Sequence, residues 1–368
     1  MYDAIVVGAR CAGSPTAMLL ARKGHRVLVL DRDTFPSDIM STHFIQLQGV
    51  VQLEKWGLLD AVKATNCPPI PKTIFHIGDV AVSPPLPPEL QGVVAYCPRR
   101  TVLDKILVDA AREAGAEVRE GFSVKELLFE GDTVVGVRGR DKTAGTDVEE
   151  RAKITIGADG MHSTVARAVN APAYNEKPSL SCAYYSYFSN VHLDGAELFL
   201  GENGGCLAFP TNDGLACIAV GQANEKFDEF RSDIEGNFYR YLDLISADMA
   251  QRVRAGKREE RWIGTADVPN FFKKPYGPGW ALVGDAGYHK DPVTGLGIMD
   301  CFRDAELLAD AIDDGFAGRE PLEQALSGYQ AKRDEAALPM YELTTSLVSG
   351  TTPPEIFQGL AAAAAQDG

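Results

Sequence analysis

Three glycine-rich segments of this chain have the residue types and spacing to hold a phosphorylated, hydroxyl-rich ligand. The first is Gly8-Ala9-Arg10-Cys11-Ala12-Gly13, set between an apolar run, Tyr2–Val7, and a stretch of helical spacing. It is a GxGxxG variant with Arg10 at the second glycine. The first glycine permits a tight turn, and the last lets a helix pack closely on a strand. The helix N-terminus then offers free N–H groups and a positive dipole end to a pyrophosphate. Arg10 stands where the backbone normally approaches phosphate, so it requires a small displacement or a direct guanidinium–phosphate contact. Asp31 ends the next apolar run, where an acidic residue takes the ribose hydroxyls of an adenosine. The second segment is Gly157-Ala158-Asp159-Gly160, followed by His162, Ser163 and Arg167. It reads either as a ligand-binding turn or as a plain turn whose aspartate caps the next helix. The third runs from Gly284-Asp285 through Pro292 and Gly295-Leu296-Gly297. Asp285 can accept hydrogen bonds from sugar-like hydroxyls. Gly295 and Gly297 leave backbone N–H groups bare at a helix start, which suits a ligand that becomes anionic.

These segments need strands and helices to position them. The first thirty residues read as strand Tyr2–Val7, helix 14–23 and strand 26–30, with the continuous apolar runs of a buried parallel sheet. Helices are expected at 46–59 and 101–114, and strands at 116–119, 123–129, 133–139 and 154–156. Between them lies a stretch dense in proline (Pro68, Pro69, Pro71, Pro84, Pro85, Pro87, Pro88). That density excludes helix and marks an excursion holding one strand, Thr73–Ile77. From about residue 174 the pattern becomes antiparallel: strands 184–190, 196–200, 205–209 and 215–221, with a hairpin turn at Asn212-Asp213-Gly214, then helix over 227–254. Strand 280–283 leads into the third glycine segment. Helices to residue 312 and over 322–345 precede an alanine-rich tail. The predicted fold is α/β: a discontinuous Rossmann-like domain from 1–70, 96–173 and 262–345, a smaller β-sheet domain from 71–95 and 174–261, and a tail at 346–368.

Composition narrows the function classes. The net charge is −15 with no block of basic residues, which argues against nucleic acid or an anionic membrane as partner. No apolar run approaches the ~20 residues needed to span a bilayer. The N-terminus lacks the marks of a signal peptide, so a cytoplasmic protein is expected. The seven cysteines are scattered without a CxxC pair, so neither a disulfide framework nor a metal site is expected.

Taken together in this order and spacing, the three segments resemble the group A FAD-dependent monooxygenases of the p-hydroxybenzoate hydroxylase type. They resemble also that family's relatives, the geranylgeranyl-reductase-like enzymes and the flavin-dependent halogenases. The likeness covers roughly residues 1–345. It implies that the first segment (Gly8, Ala9, Arg10, Gly13, with Asp31 and Arg32) holds the ADP part of FAD. Ala158, Asp159 and Gly160 would serve FAD and nicotinamide together. Gly284 and Asp285 would take the ribityl and pyrophosphate region, with Pro292, Gly295, Leu296 and Gly297 beside the flavin. The family's R-x-x-L-x-x-x-L pattern is here Arg100, Leu103 and Leu107, which makes Arg100 a FAD contact. Val124, Thr42 and His43 complete the expected cofactor set. The chain departs from the family near the ring: Tyr288 replaces a common histidine and Met299 a common asparagine, and the W-x-W-x-I-P motif of tryptophan halogenases is absent.

The resemblance implies FAD as cofactor, NADPH or NADH as co-substrate, and O2 and a small aromatic or polyene molecule as partners. The expected chemistry is hydroxylation or epoxidation through a flavin C4a-hydroperoxide. The alternatives are saturation of a C=C bond, halogenation, supply of reduced flavin by a separate reductase, and a flavoprotein with a binding role only. No catalytic residue is defined by the sequence. His43, Pro292 and Tyr185 are the candidates near the flavin. Tyr184, Tyr185, Tyr187 and Phe188 alternate along one strand, so one pair is expected to face the substrate pocket.

Overall fold

The computed structural model describes residues 1–77, 80–83, 85–201 and 203–351. Pro84 of the proline-dense stretch and the alanine-rich tail beyond residue 351 lie outside the described residues. Five strands run parallel in the first sheet, in the order Trp280–Leu282, Thr146–Gly157, Tyr2–Val7, Val27–Leu30, Glu117–Arg119. Their apolar runs are buried on both faces, as continuous Val/Ile/Leu segments require; Ala4, Ile5, Val6, Leu28 and Val29 are wholly inaccessible. Helices Gly13–Arg22, Arg100–Glu113 and Gly297–Phe316 pack on one face. The hairpin Phe122–Glu130/Thr133–Asp141 covers the other, through Phe122, Val134 and Val137.

The second sheet orders its main strands Ser181–Ser189, Leu215–Ala223, Gly204–Pro210, Ala196–Gly201, Thr73–Ile77. Thr73–Ile77 lies parallel to Ala196–Gly201, so the proline-dense excursion joins a sheet built mostly a hundred residues later. The strands alternate by face. Tyr184, Phe188, Ile218 and Val220 pack under the helices Phe227–Ser232, Ile234–Ile245 and Ala247–Ala255. Tyr185, Tyr187, Leu207, Phe209 and Ala219 face the other way, toward Phe44 of the first unit.

Three boundaries differ from the expectation. Strand Ile263–Thr265 pairs with Ser181–Ser189, so it belongs to the second sheet and not to the unit expected to resume at 262. Three residues carry no usable periodicity, and the partner strand decides. Strands Ala173–Lys177, Asn270–Lys273 and Tyr288–His289 form a small third sheet around Phe272 and Tyr341, for the same reason invisible beforehand. The last helix runs Leu322–Ser349, beyond residue 345. Its Ser/Thr-rich end has weak helical propensity. Thr344 meets Thr294 at 3.1 Å and Thr345 accepts from Lys177 at 2.6 Å, which holds that end helical until Gly350 stops it at φ 68°.

Two glycines of the first β-α-β unit separate crowding from backbone strain. A β-carbon on Gly13 would lie 1.8 Å from the Gly8 carbonyl oxygen, whereas one on Gly24 (φ 90°) meets nothing within 4 Å. Gly13→Ala is expected to destabilise by about 3 kcal/mol or more through overlap with backbone, and Gly24→Ala by about 1 kcal/mol through its left-handed backbone alone. Denaturant unfolding of both variants checks this, and equal costs would contradict it.

Candidate functional site

Three adjacent parallel strands deliver the three glycine segments to one place. Tyr2–Val7, Thr146–Gly157 and Trp280–Leu282 all end at the same sheet edge, at Gly8, Ala158 and Gly284. The carboxyl ends of parallel strands are where α/β sheets bind ligands. There the segments touch through contacts that only glycine allows. Gly8 (φ 102°) would place a β-carbon 2.4 Å from the Ala158 carbonyl oxygen, and Gly284 (φ 59°) would place one 2.7 Å from Ala12 Cβ. They open on a cleft of about 1650 Å³ that runs between the two sheets. That exceeds the roughly 300–1,000 Å³ of a single small-molecule pocket, so it suits a dinucleotide with a second ligand beside it. Helices Gly13–Arg22 and Gly297–Phe316 begin at this cleft with no side-chain cap, and a β-carbon at Gly297 would meet nothing within 4 Å. At Gly297–Phe316 the first N–H groups are left for a ligand; at Gly13–Arg22 Ser14 donates to the Arg10 carbonyl and Pro15 has no N–H, which leaves that of Gly13.

Most of the expected residues line the cleft: Gly8, Arg10, Asp31 and Arg32; Thr42, His43 and Tyr185; Arg100 and Val124; Ala158, Asp159 and Gly160; Gly284, Asp285, Pro292, Gly295 and Gly297. Ala9, Gly13 and Leu296 stand behind that lining. Ala9 donates its N–H to Asp31 at 2.7 Å, and Asp31 also accepts from the Asp33 N–H at 2.9 Å. Burial pushes the Asp31 carboxyl above its usual range. Arg10 is already engaged within the protein on the cleft wall. Its guanidinium pairs with Asp104 at 2.6 Å and Asp33 at 3.1 Å and reaches the Ser37 hydroxyl at 2.8 Å. Buried Asp104 also takes Arg100 at 3.0 Å, so one carboxylate fastens two arginines beside the first segment. Its spacing from Arg100, one helical turn, was the sequence signal for it. Asp159 has the capping role: it accepts from the Ser163 hydroxyl at 2.5 Å and the Thr164 N–H at 2.6 Å, leaving Ala158 and Gly160 to present backbone.

Asp285 differs from these. It lines the cleft, and no hydrogen bond or ion pair to another described residue occupies its carboxylate. An unpartnered carboxylate beside two bare helix N-termini fits the hydroxyls and phosphates of FAD. Asp285, Gly8, Asp31 and the Gly295–Gly297 turn are the residues that would hold it.

Across the cleft, His43 adopts φ 44° and is buried. Its Nδ1 donates to the Cys97 carbonyl at 3.1 Å, and its Nε2 accepts from the Tyr187 hydroxyl at 2.9 Å. Burial, with the nearby Arg99 charge, lowers its pKa to about 3, so the ring is neutral. Arg99 lies 3.7 Å over the Tyr187 ring and binds Glu260 at 2.7 Å. Of the aromatic pair on that face only Tyr185 lines the cleft, its hydroxyl accepting from the Ser41 N–H at 3.1 Å; Tyr187 is buried behind it against His43. Sequence reading missed Ser181, which donates to Asp291 at 2.5 Å, and residues 347–350, which reach the cleft only through the extended last helix.

Because the unfolded His43 protonates near pH 6.5 and the folded one near 3, stability associated with the neutral ring is lost as pH falls through that window. The destabilisation caused by His43→Asn is therefore expected to shrink between pH 7 and pH 4.5, by up to about 2 to 3 kcal/mol. Urea unfolding at the two pH values measures it, and an unchanged penalty would place the charged form in the fold.

The model of the FAD binding domain family matches residues 1–343. Digeranylgeranylglycerophospholipid reductase of Methanosarcina acetivorans is 28% identical over 340 residues, 88% of this chain and 79% of its own. Reductase 2 of the same description from Methanothermobacter thermautotrophicus is 30% identical over 330 residues, 85% and 79% of the two chains. Among solved structures, the myxobacterial chondrochloren halogenase CndH has a TM-score of 0.85 at 24% identity, covering 94% of this chain and 82% of its own. PqsL of Pseudomonas aeruginosa, described as a "probable FAD-dependent monooxygenase", has a TM-score of 0.80 at 20% identity, covering 98% and 99%. These structural likenesses show the expected two-sheet flavoprotein fold. Among the described residues no helix is long and apolar enough to cross a membrane. The chain belongs to the FAD binding domain family, is related to digeranylgeranylglycerophospholipid reductases, and is a FAD-dependent oxidoreductase.

Proposed function

We propose that the protein is a FAD-dependent monooxygenase of a small aromatic or polyene substrate, with NAD(P)H as reductant. Bound and reduced, FAD would supply the chemistry of oxygen activation; the chain supplies placement and a dry cavity. The observation that carries this reading is the state of the groups facing the apolar part of the cleft. His43 is neutral with both ring nitrogens engaged. Burial pushes the Tyr185 hydroxyl well above its usual range, which makes it a weak acid. Such a wall orients an electron-rich substrate and is poor at delivering a proton to carbon, as alkene reduction requires. Arg167 and Lys273, neither of them in an ion pair with a described residue, stand beside the Asp159 turn and suit the phosphates of a nicotinamide dinucleotide.

A second reading, reduction of a C=C bond, is favoured by the named function of the 28–30% identical relatives. It is favoured also by Asp291, a cleft carboxyl that burial pushes up. Turnover of a panel of flat aromatic and polyene compounds with NADPH under labelled O2 decides between them. One labelled oxygen in the product is expected. Anaerobic turnover to a product two hydrogens heavier, abolished in Asp291→Asn, would establish the reductase. Separately, Asp285→Ala is expected to weaken FAD retention by about tenfold to a hundredfold, the loss of hydrogen bonds to a charged group. Equilibrium dialysis against FAD measures it, and unchanged retention would remove Asp285 from the cofactor site.

A further inference from the structure

The floor of the cleft is one face of the second sheet, and a row across that floor is nearly bare of side chains. Thr265, Ala183, Gly221, Gly205 and Leu200 lie directly opposite one another on successive strands, and all of them line the cleft. Alternation puts the row on the face of Tyr185, Ala219 and Leu207, away from the helices. Glycine weakens a strand interior and marks a place where something approaches the backbone closely. Two other glycines of this sheet are explained by packing within the protein. A β-carbon on Gly264 would lie 2.2 Å from the Tyr184 ring, and one on Gly204 2.2 Å from Gln222 Nε2. Gly221 has no such neighbour: among the described residues its β-carbon would meet only the carbonyl oxygens of Cys182 and Gly205, at 3.8 and 3.9 Å. On Gly205 it would meet the Phe199 carbonyl oxygen at 3.2 Å and Leu200 Cδ2 at 3.9 Å. All these atoms belong to the sheet itself, so the space above the row is open to the cleft.

The row has two banks and two ends. Tyr185 and Leu207 stand one side-chain repeat along the strands on one side, and Ser181 and Ala223 one repeat along on the other; all four line the cleft. A repeat is about 7 Å, so between the side chains of the two banks the open floor is about as wide as an aromatic ring lying face down. At the Ala183 end the Ser181 hydroxyl donates to Asp291 at 2.5 Å, which sets that end against the third glycine segment. At the other end Leu200 adjoins Gly201, which is exposed. Ala183 and Leu200 are separated by inter-strand spacings that sum to about 14 Å, roughly the length of three fused rings. A planar ligand laid along this row reaches van der Waals distance of the peptide groups over its whole face, which side chains at 205 and 221 would prevent. A thick, saturated ligand gains nothing from the missing side chains.

We infer that Gly205 and Gly221 determine specificity: they admit an elongated planar substrate of roughly two or three fused rings, laid across the strands with its face on the Ala183–Gly221–Gly205 row, one end beside Asp291 and the other at Leu200. This deepens the proposed monooxygenase reading, and it rests on that reading only for the identity of the reaction. Binding to the oxidised holoenzyme tests it without turnover, so its failure and the failure of oxygen transfer are separate results. The probes are 2-naphthol and trans-decahydro-2-naphthol, which share an outline and an uncharged hydroxyl and differ in thickness, each measured by equilibrium dialysis. The parent is expected to bind the flat probe on the order of tenfold or more tighter than the saturated one. Gly221→Ala is expected to reduce that preference by about threefold to tenfold, and Gly221→Val to abolish it. A merely structural effect of either substitution would weaken both probes alike and leave the preference standing. Variants are compared at matched FAD content and circular dichroism. Should Gly221→Val lose FAD, Gly221→Ala carries the test, since its added carbon meets nothing nearer than 3.8 Å. Equal affinity of the parent for the two probes, a preference unchanged by substitution at Gly221, or no binding of either probe would overturn the assignment.

Discussion

The contact between the Gly8 backbone and the Ala158 carbonyl is the constraint on which the site depends. A β-carbon at residue 8 would stand 2.4 Å from that oxygen, so any other residue would push apart the loops that follow strands Tyr2–Val7 and Thr146–Gly157. With Gly284 pressed on Ala12 from the other side, three loops far apart in sequence share one small volume at the carboxyl ends of adjacent parallel strands. The parallel pairing sets where those loops emerge. The missing side chains set how close they come. Two uncapped helix N-termini then point into the same space, and their positive dipole ends favour a ligand carrying negative charge.

Charged side chains around that space divide into those that hold the loops and those left for ligands. Asp104 gathers Arg10 and Arg100, Asp31 ties the Ala9 and Asp33 N–H groups, and Asp159 caps the helix Thr164–Ala168. Asp31 and Asp104 are buried and Asp159 half-buried, and each accepts from donors of the protein itself, as burial of charge requires, while Asp31 keeps a second lone pair on each oxygen for cofactor hydroxyls. Asp285 and Lys226 do not meet an opposite charge among the described residues. Asp285 stands beside the glycine loops, and Lys226 is held by Gln222 near the Tyr241 ring at the strand ends of the second sheet. The second sheet therefore works with two faces: an aromatic one sealed under helices, and one thinned to glycine and alanine where the cleft passes over it.

Much of this was legible in the sequence because its physical causes are local. Continuous apolar runs announced the buried parallel strands, glycines at turn positions announced the phosphate-type loops, and alternation in 184–188 announced two unlike faces of one strand. Local pattern also left the Asp159 turn open between ligand binding and capping; the hydrogen bonds of Ser163 and Thr164 give its carboxylate the cap while the turn stays on the cleft. Arg10 shows the limit of a motif. Its departure from glycine was visible, but the carboxylates that absorb it, Asp33 and Asp104, are recruited from a loop and from a helix ninety residues away.

By itself the sequence determined the type of each main element, the three glycine segments and the family to which they belong, since these depend on residue type at short spacing. Tertiary structure decided what depends on partners. It placed strand Ile263–Thr265 in the second sheet and kept the Thr344-Thr345 end of the last helix ordered beside the cleft. It neutralised His43 by burying it between Cys97 and Tyr187. It also set Gly205 opposite Gly221, two residues that are unremarkable one strand at a time. Register across strands is fixed by which faces must be buried together, and no single segment contains that information.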